Sequence, residues 1–166
     1  MSTNQYILPY TQTAAYKKVA LAVMGLIVFV VSTAAQTSYE AKYRRLADSL
    51  SGVYHIPASI ILGVAFIESG GGNSKNARRL NNHFGIVGPN NLGKKKGIKS
   101  RYRQYPSVAA SYVSFCNLMT RKKFYNKLKS SSNIALWADA ISKSGYSEAP
   151  VIWKKRLLDT IKKHHL

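Results

Sequence analysis

Residues 60–72 read Ile-Ile-Leu-Gly-Val-Ala-Phe-Ile-Glu-Ser-Gly-Gly-Gly. The apolar run is typical of a buried helix, and the glycines that follow it can adopt positive φ and so end that helix. The sequence therefore predicts a helix whose last turn carries one carboxylate, Glu68. Unpaired carbonyls at the helix end and apolar neighbours both disfavour the charged form, so we expect a raised pKa for Glu68. Such an acid can donate a proton near neutral pH, although a solvated glutamate at a helix end has the same local sequence.

The composition indicates one basic domain. The chain has 166 residues, with 25 Lys and Arg against 6 Asp and Glu, a formal net charge of +19. This charge predicts an acidic partner such as nucleic acid, an anionic membrane surface or an anionic cell-wall polymer. The single cysteine, Cys116, excludes an internal disulfide and a multi-cysteine zinc site. The histidines are isolated or lie at the C-terminus, so we predict no metal and no cofactor.

An apolar segment near the N-terminus indicates export. Residues 19–31 carry no charge and follow Lys17 and Lys18, and small residues continue to Ala35. Residues 19–35 therefore resemble a secretory signal peptide or a hydrophobic helix that anchors the chain in the membrane. We predict a signal or anchor over 1–36 and a domain over 37–166 that is exported to the periplasm or cell envelope. Export makes nucleic acid an unexpected partner and an anionic envelope surface the expected one.

Capping residues and helical periodicity predict that most of the exported part is helical. Residues 37–40 form a capping box, and the helix that they open is expected to run to about Leu50 and to end at Gly52. Further helices are expected over 57–68, 74–80 and 133–145, and from residues 107 and 150 onward.

A short β-hairpin is expected between two of these helices. Residues 81–88 form an extended segment, 89–99 a turn-rich basic insertion, and 101–105 a returning strand in which tyrosines and basic residues alternate. The predicted fold class is therefore mainly α (α+β), with one hairpin lobe. Basic residues 94–103 form either a solvated loop or a surface that docks on anionic wall glycan or lipid.

Four motifs follow one another in this chain. They are Glu-Ser-Gly at 68–70, Asn-x-Phe-Gly-Ile at 82–86, a tyrosine-bearing hairpin strand, and Gly-Tyr-x-x-x-Pro at 145–150. Their order resembles the glucosaminidase family of peptidoglycan hydrolases, which includes the flagellar muramidase domain, autolysins and mannosyl-glycoprotein endo-β-N-acetylglucosaminidase-like domains. The resemblance covers about residues 38–164. It implies a lysozyme-like helical fold and hydrolysis of the β-1,4 bond between N-acetylglucosamine and N-acetylmuramic acid in peptidoglycan glycan strands.

The resemblance also implies roles for individual residues. Glu68 is the expected general acid that protonates the leaving glycosidic oxygen, and Tyr146 is expected to point its phenol toward the sugar beside the scissile bond. The expected substrate-binding residues are Ser69, Asn82, Phe84, Gly85 and Tyr105. Three of these residues also have a purely structural interpretation: helix-cap packing for Tyr146, core packing for Phe84 and turn chemistry for Asn82.

The second catalytic group is not evident in the sequence. Glycosidases generally use two carboxylates, about 5–5.5 Å apart for retention or ~6.5–9.5 Å apart for inversion. Residues 84–105, where many relatives place the second acid, contain no Asp or Glu. Glu148 is a candidate, although the family more often has an Asp at what is Ala149 here. The alternative is attack by the 2-acetamido oxygen of the substrate itself, in which case one protein acid suffices.

Three other functions are compatible with the sequence. A lytic transglycosylase-like enzyme also works with one glutamate in a lysozyme-like fold, but leaves a 1,6-anhydro sugar. A non-catalytic basic wall-binding module would carry Glu68 as a residual acid. A nucleic-acid-binding protein would explain the charge but not the export segment, and salt-sensitive binding at physiological ionic strength would be needed to support it.

Overall fold

The structure is mainly helical, which confirms the predicted class. The computed structural model describes residues 39–97 and 99–166, and Tyr39–Leu166 forms one compact unit. The helices in this part of the chain are α1 (described over 39–54), α2 (Ala58–Ser69), α3 (Lys75–Leu80), α4 (Leu92–Lys96), α5 (Val108–Thr120), α6 (Tyr125–Leu128), α7 (Ile134–Ile141), a π-helical turn (Ser142–Tyr146) and α8 (Pro150–Lys163).

Helix α2 lies at the centre of the fold. Its sequence is apolar on every side, and a helix without a polar face has to be surrounded by other elements. Helices α5, α7 and α8 all contact it. Its buried side chains are those of Ile60, Ile61, Leu62, Val64, Ala65 and Ile67.

Gly63 allows α8 to pack closely against α2. A Cβ added at Gly63 would lie 2.8 Å from Cγ1 of Ile161 and 3.0 Å from Cδ1 of Leu157. Because protein cores are close-packed, a larger residue at this position would push the two helices apart. The close contact matters for function because α2 carries Glu68, and α8 passes beside that residue.

The end of α1 differs from the prediction. The helix continues through Gly52 to residue 54, and His55 adopts the left-handed conformation (φ 50°), with its N–H donating to the carbonyl of Ser51 at 2.8 Å. One glycine inside a helix costs only about 1 kcal/mol and does not stop it. Pro57 follows, and proline disfavours the helical conformation for Ile56 before it. The face of α1 that packs into the core carries Tyr39, Ala47 and Leu50, which are buried.

The predicted β-hairpin is reduced to a single bridge. Val87 and Tyr102 pair in antiparallel fashion, and the neighbouring backbone bonds are Gly88 N–H to Arg101 O at 2.9 Å and Arg103 N–H to Ile86 O at 2.8 Å. The two arms meet as predicted, but no longer strand forms in the described part of the chain. The connection between the arms includes the short helix α4 in place of a tight turn, and so the pairing does not extend along it.

The predicted signal or anchor, residues 19–35, and the capping residues 37 and 38 lie outside the described residues. Within 39–97 and 99–166, no helix is both long enough and apolar enough to cross a membrane. The division of the chain into residues 1–36 and 37–166 stays a prediction.

Candidate active site

Glu68 lies in the last turn of α2, at the rim of a cleft. Gly70 ends the helix in the left-handed conformation, with φ 58°. The next residue after Glu68, Ser69, is fully buried, so it lies behind the cleft. Its Oγ accepts a hydrogen bond from the N–H of Gly72 at 2.8 Å and donates to the hydroxyl of Tyr39 at 3.4 Å. These bonds hold the turn from the inside, while Glu68 is half-buried and faces the cleft.

Burial raises the pKa of Glu68, in the direction that the sequence predicts. Two neighbours oppose the shift by stabilising the anion: the indole N–H of Trp153 donates to Oε1 at 2.7 Å, and the charge of Arg156 lies nearby. The guanidinium of Arg156 is held by a 2.7 Å hydrogen bond to the carbonyl of Ile67. The carboxyl group therefore has a fixed orientation and a raised proton affinity, as a proton donor requires.

The cleft has a volume of about 400 Å³. Its walls come from α2, α3, the segments around residues 85 and 102, the turn at 146–149, and the first half of α8. Of the six acidic residues in the chain, only Glu68 and Glu148 line it. The cleft thus brings together four of the residues singled out in the sequence: Glu68, Gly85, Tyr146 and Glu148.

Gly85 keeps space open beside the carboxylate. Its φ is 65°, in the region that favours glycine, and an added Cβ would lie 3.6 Å from Oε2 of Glu68 and 4.0 Å from Cε1 of Tyr102. Any side chain here would be strained and would also fill part of the cleft next to the acid. Gly85 of the Asn-x-Phe-Gly-Ile motif therefore has a steric role at the site.

Tyr146 closes the cleft on the side of the π-helical turn. Its hydroxyl donates to the carbonyl of Phe84 at 2.8 Å, and its ring packs edge-on against those of Trp153 and Phe115. Burial and the negative charge of Glu68 raise the pKa of Tyr146 well above its ordinary value. The phenol therefore stays neutral and can act only as a hydrogen-bonding group.

Glu148 lines the same cleft but is exposed. Its carboxylate makes no hydrogen bond or ion pair with any of the residues that the structure describes. It differs in this respect from Glu68, whose carboxyl group is oriented by Trp153. The cleft therefore contains one fixed acid and one solvated acid.

Asn82 lies behind the cleft and organises it. The side chain is buried and fully bonded: Nδ2 donates to the carbonyls of Ile86 and Arg103, both at 2.8 Å, and Oδ1 accepts from the N–H groups of Phe84 and Ile86. These bonds tie the two arms of the reduced hairpin together. The pattern corresponds to the structural role considered above, that of turn chemistry.

Phe84 and Tyr105 also lie outside the cleft. Phe84 is buried in the core, with its ring stacked on that of Phe115 at 4.4 Å. Tyr105 is buried, and its hydroxyl donates to Oγ of Ser114 at 2.8 Å. Tyr102, rather than Tyr105, is the tyrosine of the returning arm that lines the cleft.

A buried polar cluster supports the end of α2 from behind. The hydroxyl of Tyr39 lies 2.8 Å from Nδ1 of His83 and 3.0 Å from the hydroxyl of Tyr112. Burial lowers the pKa of His83 to about 4, so this imidazole is neutral at physiological pH. It is therefore not a source of pH dependence near neutrality.

Trp153 and Arg156 were not among the residues predicted from the sequence. A signal for them exists, because Trp153 precedes the inward-facing Leu157 by one helical turn, and Arg156 follows Trp153 three residues later on the same side of α8. What no local pattern shows is that this side meets the end of α2, 85 residues earlier in the chain.

The described residues contain no group of three or more His, Cys, Asp or Glu side chains that could hold a metal ion.

Comparison with known proteins identifies the family. A family model described as mannosyl-glycoprotein endo-β-N-acetylglucosaminidase matches residues 44–166. The chain belongs to the glucosaminidase family. Among curated glucosaminidases, the exo-glucosaminidase LytG of Bacillus subtilis (strain 168) is 32% identical, with 62% of this chain and 45% of LytG covered. The chain thus spans less than half the length of that relative.

Solved structures of glycoside hydrolase domains share this fold. The catalytic domain of the autolysin Auto from Listeria monocytogenes superimposes with a TM-score of 0.66 at 18% identity, covering 97% of each chain. The C-terminally truncated glycoside hydrolase domain of FlgJ from Salmonella typhimurium gives a TM-score of 0.61 at 21% identity, covering 77% of this chain and 96% of that one. These likenesses place the glucosaminidase-family domain in a known helical hydrolase fold.

Proposed function

We propose that this glucosaminidase-family domain hydrolyses the β-1,4 bond between N-acetylglucosamine and N-acetylmuramic acid in peptidoglycan, with Glu68 as the general acid. One observation carries the proposal: Glu68 is half-buried at the rim of a cleft, and burial raises its pKa. Membership of the glucosaminidase family supplies the substrate class. Two relatives, the exo-glucosaminidase LytG and the autolysin Auto, point to the same class.

The chemistry begins with a proton from Glu68. The carboxylic acid transfers its proton to the glycosidic oxygen as the bond from that oxygen to the anomeric carbon breaks. Trp153 then stabilises the carboxylate through the 2.7 Å bond from its indole N–H, and the charge of Arg156 acts in the same direction. In the second half of the reaction, the carboxylate takes a proton from water and returns to its acid form.

We further propose that the substrate supplies the nucleophile. The 2-acetamido oxygen of the sugar attacks its own anomeric carbon, and water later opens the resulting ring. Two observations support this: the cleft contains only one other acid, Glu148, and that carboxylate is solvated and makes no contact that would orient it. Glu148 is the candidate partner if the protein supplies the second group.

Tyr146 is proposed as a positioning residue. Its hydroxyl hydrogen is used in the bond to the carbonyl of Phe84, so its oxygen can accept a hydrogen bond from the amide N–H or a hydroxyl of the sugar. An acceptor at this place would hold the acetamido group of the substrate in line with the anomeric carbon. Gly85, across from it, leaves the space that the sugar needs.

Mass spectrometry of digested peptidoglycan tests the proposal. Purified peptidoglycan incubated with the protein should yield fragments that end in reducing N-acetylglucosamine. Fragments with 1,6-anhydro ends would instead identify a lytic transglycosylase, a candidate favoured by the single oriented acid. Complete absence of soluble fragments would leave a non-catalytic basic wall-binding module.

The place of action follows from the substrate. Peptidoglycan lies outside the cytoplasmic membrane, so we propose that the domain acts in the periplasm or cell envelope after export by residues 19–35. The basic stretch 94–103 is proposed to hold the domain on anionic envelope polymers or on a membrane surface. Within that stretch, Lys94, Lys95, Lys99, Arg101 and Arg103 are all exposed.

A further inference from the structure

A second pocket adjoins the catalytic cleft. It has a volume of about 310 Å³ and lies between α3 and the segment 99–102. It shares three lining residues with the cleft: Asn76, Arg101 and Tyr102. A polymer that crosses the cleft in this direction therefore passes directly into the second pocket.

The pocket is lined by four cations and no acid. Lys75 and Arg79 come from successive turns of α3, and Lys99 and Arg101 face them from the returning segment. All four side chains are exposed, and none of them forms an ion pair with an acid of the described chain. Their charges are therefore uncompensated in the free protein.

None of the six acids of the chain lines this pocket. Glu40 pairs with Arg44, Asp139 with Lys143 and Lys154, and Asp159 with Lys155, while Asp48 lies on α1. The two acids near the cleft, Glu68 and Glu148, line it without lining the basic pocket. The positive potential in the pocket therefore has no internal counterion at hand, and an anionic group is the ligand that it favours.

The pocket also has apolar surface suited to a sugar. Leu92 is buried at its base, and Tyr102 contributes an aromatic ring with the guanidinium of Arg101 lying 5.5 Å from its centroid. Arginine binds carboxylates through paired N–H groups, and lysine does so as a point charge. The combination fits a sugar that carries a carboxylate.

We propose that this pocket is a substrate subsite for a carboxylate-bearing unit of the glycan strand, next to the sugar at Glu68. This inference rests on the proposed function, because that function supplies the strand. N-Acetylmuramic acid carries the carboxylate on its lactyl group when unsubstituted, and on its stem peptide when that group is in an amide bond. Both sources present the same chemistry to Lys75, Arg79, Lys99 and Arg101.

Binding to three soluble glycan oligomers of equal length tests the subsite. The first alternates N-acetylglucosamine with N-acetylmuramic acid without peptides, the second carries stem peptides, and the third is an uncharged N-acetylglucosamine oligomer. Affinities are measured by calorimetry with Glu68→Gln protein, so that no turnover occurs. At least one carboxylated oligomer should bind about threefold to tenfold tighter than the uncharged one. A preference for the first assigns the lactyl carboxylate, and a preference for the second alone assigns the stem peptide.

Removing the charges should remove the preference. Lys75→Gln with Arg79→Gln removes two of the four cations and is expected to lose most of the preference, and Lys99→Gln should weaken the preference from the opposite wall. Lys127→Gln with Lys129→Gln removes the same charge from α6 and from the residue that follows it, outside the pocket, and should retain the preference. Equal binding of all three oligomers, or a preference that survives in the α3 variant, overturns the subsite alone. No binding of any oligomer overturns the proposed function as well.

Discussion

Glu68 experiences opposing influences from its neighbours. Burial favours its neutral form, while the indole N–H of Trp153 and the charge of Arg156 favour the anion, and burial is the larger effect. An acid that must release and regain a proton in one catalytic cycle needs both forms to be accessible. The arrangement around the carboxyl group provides this, and it has consequences for stability as well as for rate.

Glu68→Gln is expected to stabilise the folded protein at pH 7. The pKa of Glu68 is higher in the folded state than in the unfolded state, so folding favours the neutral carboxyl group. The stability that Glu68 contributes is fully present below the unfolded pKa and is lost as the pH rises through the folded pKa, because the buried anion then has to form. Glutamine does not titrate and can still accept the bond from Trp153. Thermal denaturation should give the variant the higher Tm at pH 7 and nearly the same Tm as wild type at pH 3.5. A variant that is less stable at pH 7 would contradict this, and Glu148→Gln, at an exposed site, is the control.

Trp153→Phe is expected to move the pH profile of activity upward. The indole N–H stabilises the Glu68 anion, so its loss raises the pKa of the acid further and shifts the alkaline limb of the rate profile to higher pH. Trp137→Phe is the matched control, because it removes a tryptophan N–H that bonds to the carbonyl of Ser131, away from the cleft. An unchanged alkaline limb for Trp153→Phe would show that this bond does not tune the acid.

Among single residues, the position of Glu68 at the end of a helix is predictable from the sequence because its signal is local. An apolar helix, a terminal acid and glycines follow one another, and the structure has the same order. The directions of neighbouring side chains are not local in this sense. Ser69 belongs to the Glu-Ser-Gly motif and Asn82 to the Asn-x-Phe-Gly-Ile motif. The side chains of both point inward and form hydrogen bonds with backbone groups. A motif therefore predicts that a residue lies near the site, but it does not predict whether the side chain points into the cleft or into the core.

The cleft is formed by the packing of α8 against α2 on one side and by the arms of the reduced hairpin on the other. Helix α8 reaches α2 closely at Gly63, and this contact brings Trp153 within hydrogen-bond distance of Glu68. On the other side, Asn82 ties the arms of the reduced hairpin together and so sets the position of Gly85. The acid is therefore placed by packing between helices, and the open space beside it is placed by a polar side chain.

Gly85→Ala is expected to lower activity more than stability alone explains. Alanine at φ 65° costs about 1 kcal/mol in conformational strain, and its Cβ would lie 3.6 Å from Oε2 of Glu68, inside the cleft. Gly97→Ala is the matched control, because its φ is 64° and no atom lies within 4 Å of an added Cβ. Chemical denaturation should show similar losses for the two variants, whereas only Gly85→Ala should lose roughly tenfold in rate. Equal rates for the two would remove the steric role of Gly85.

Helices were predictable where capping residues mark their ends. Ser74, Ser107 and Asn133 cap α3, α5 and α7 through their side-chain oxygens, and Pro150 begins α8. The hairpin was less predictable, because its arms are joined through a helix of five residues in a sequence rich in Gly, Asn and Lys. Tertiary contacts decide how far such arms pair, and these contacts are not visible in alternating residue types.

Charge is distributed unevenly over the whole molecule. The chain carries 25 basic and 6 acidic residues, and two of those acids line the candidate cleft. The remaining charged residues of the chain are therefore mostly basic. An excess of basic residues favours long-range attraction to anionic polymers, whereas the cleft is lined by the carboxylates of Glu68 and Glu148.

Binding to insoluble peptidoglycan is expected to depend on salt and on the segment that contains α4. Raising the salt concentration to about 1 M shortens the screening length to about 3 Å and should release the bound protein. Lys94→Glu with Lys95→Glu should lower the bound fraction at moderate salt by more than Lys127→Glu with Lys129→Glu, which makes the same change in net charge. Sedimentation with the cell-wall material measures both, and equal loss for the two variants would exclude a specific role for residues 94–103.

The fold of the whole molecule was predictable as a class, but not the meeting of its distant parts. The order and spacing of the motifs predict a helical domain of the glucosaminidase family, and the comparison with known proteins confirms this family. The bond between Trp153 and Glu68 joins residues 85 positions apart, and the basic pocket joins α3 to a segment about 20 residues later. Such contacts arise from packing and carry no signature in either local sequence.

The assignment of Glu68 as the proton donor is tested most directly by the rate at which Glu68→Gln releases soluble fragments from purified peptidoglycan. Glutamine keeps the size of the side chain and the acceptor for Trp153, but it has no proton to give. The variant should lose at least about 10²-fold in rate while remaining folded and able to bind the glycan. A folded Glu68→Gln protein that digests peptidoglycan at a rate close to wild type would contradict the assignment.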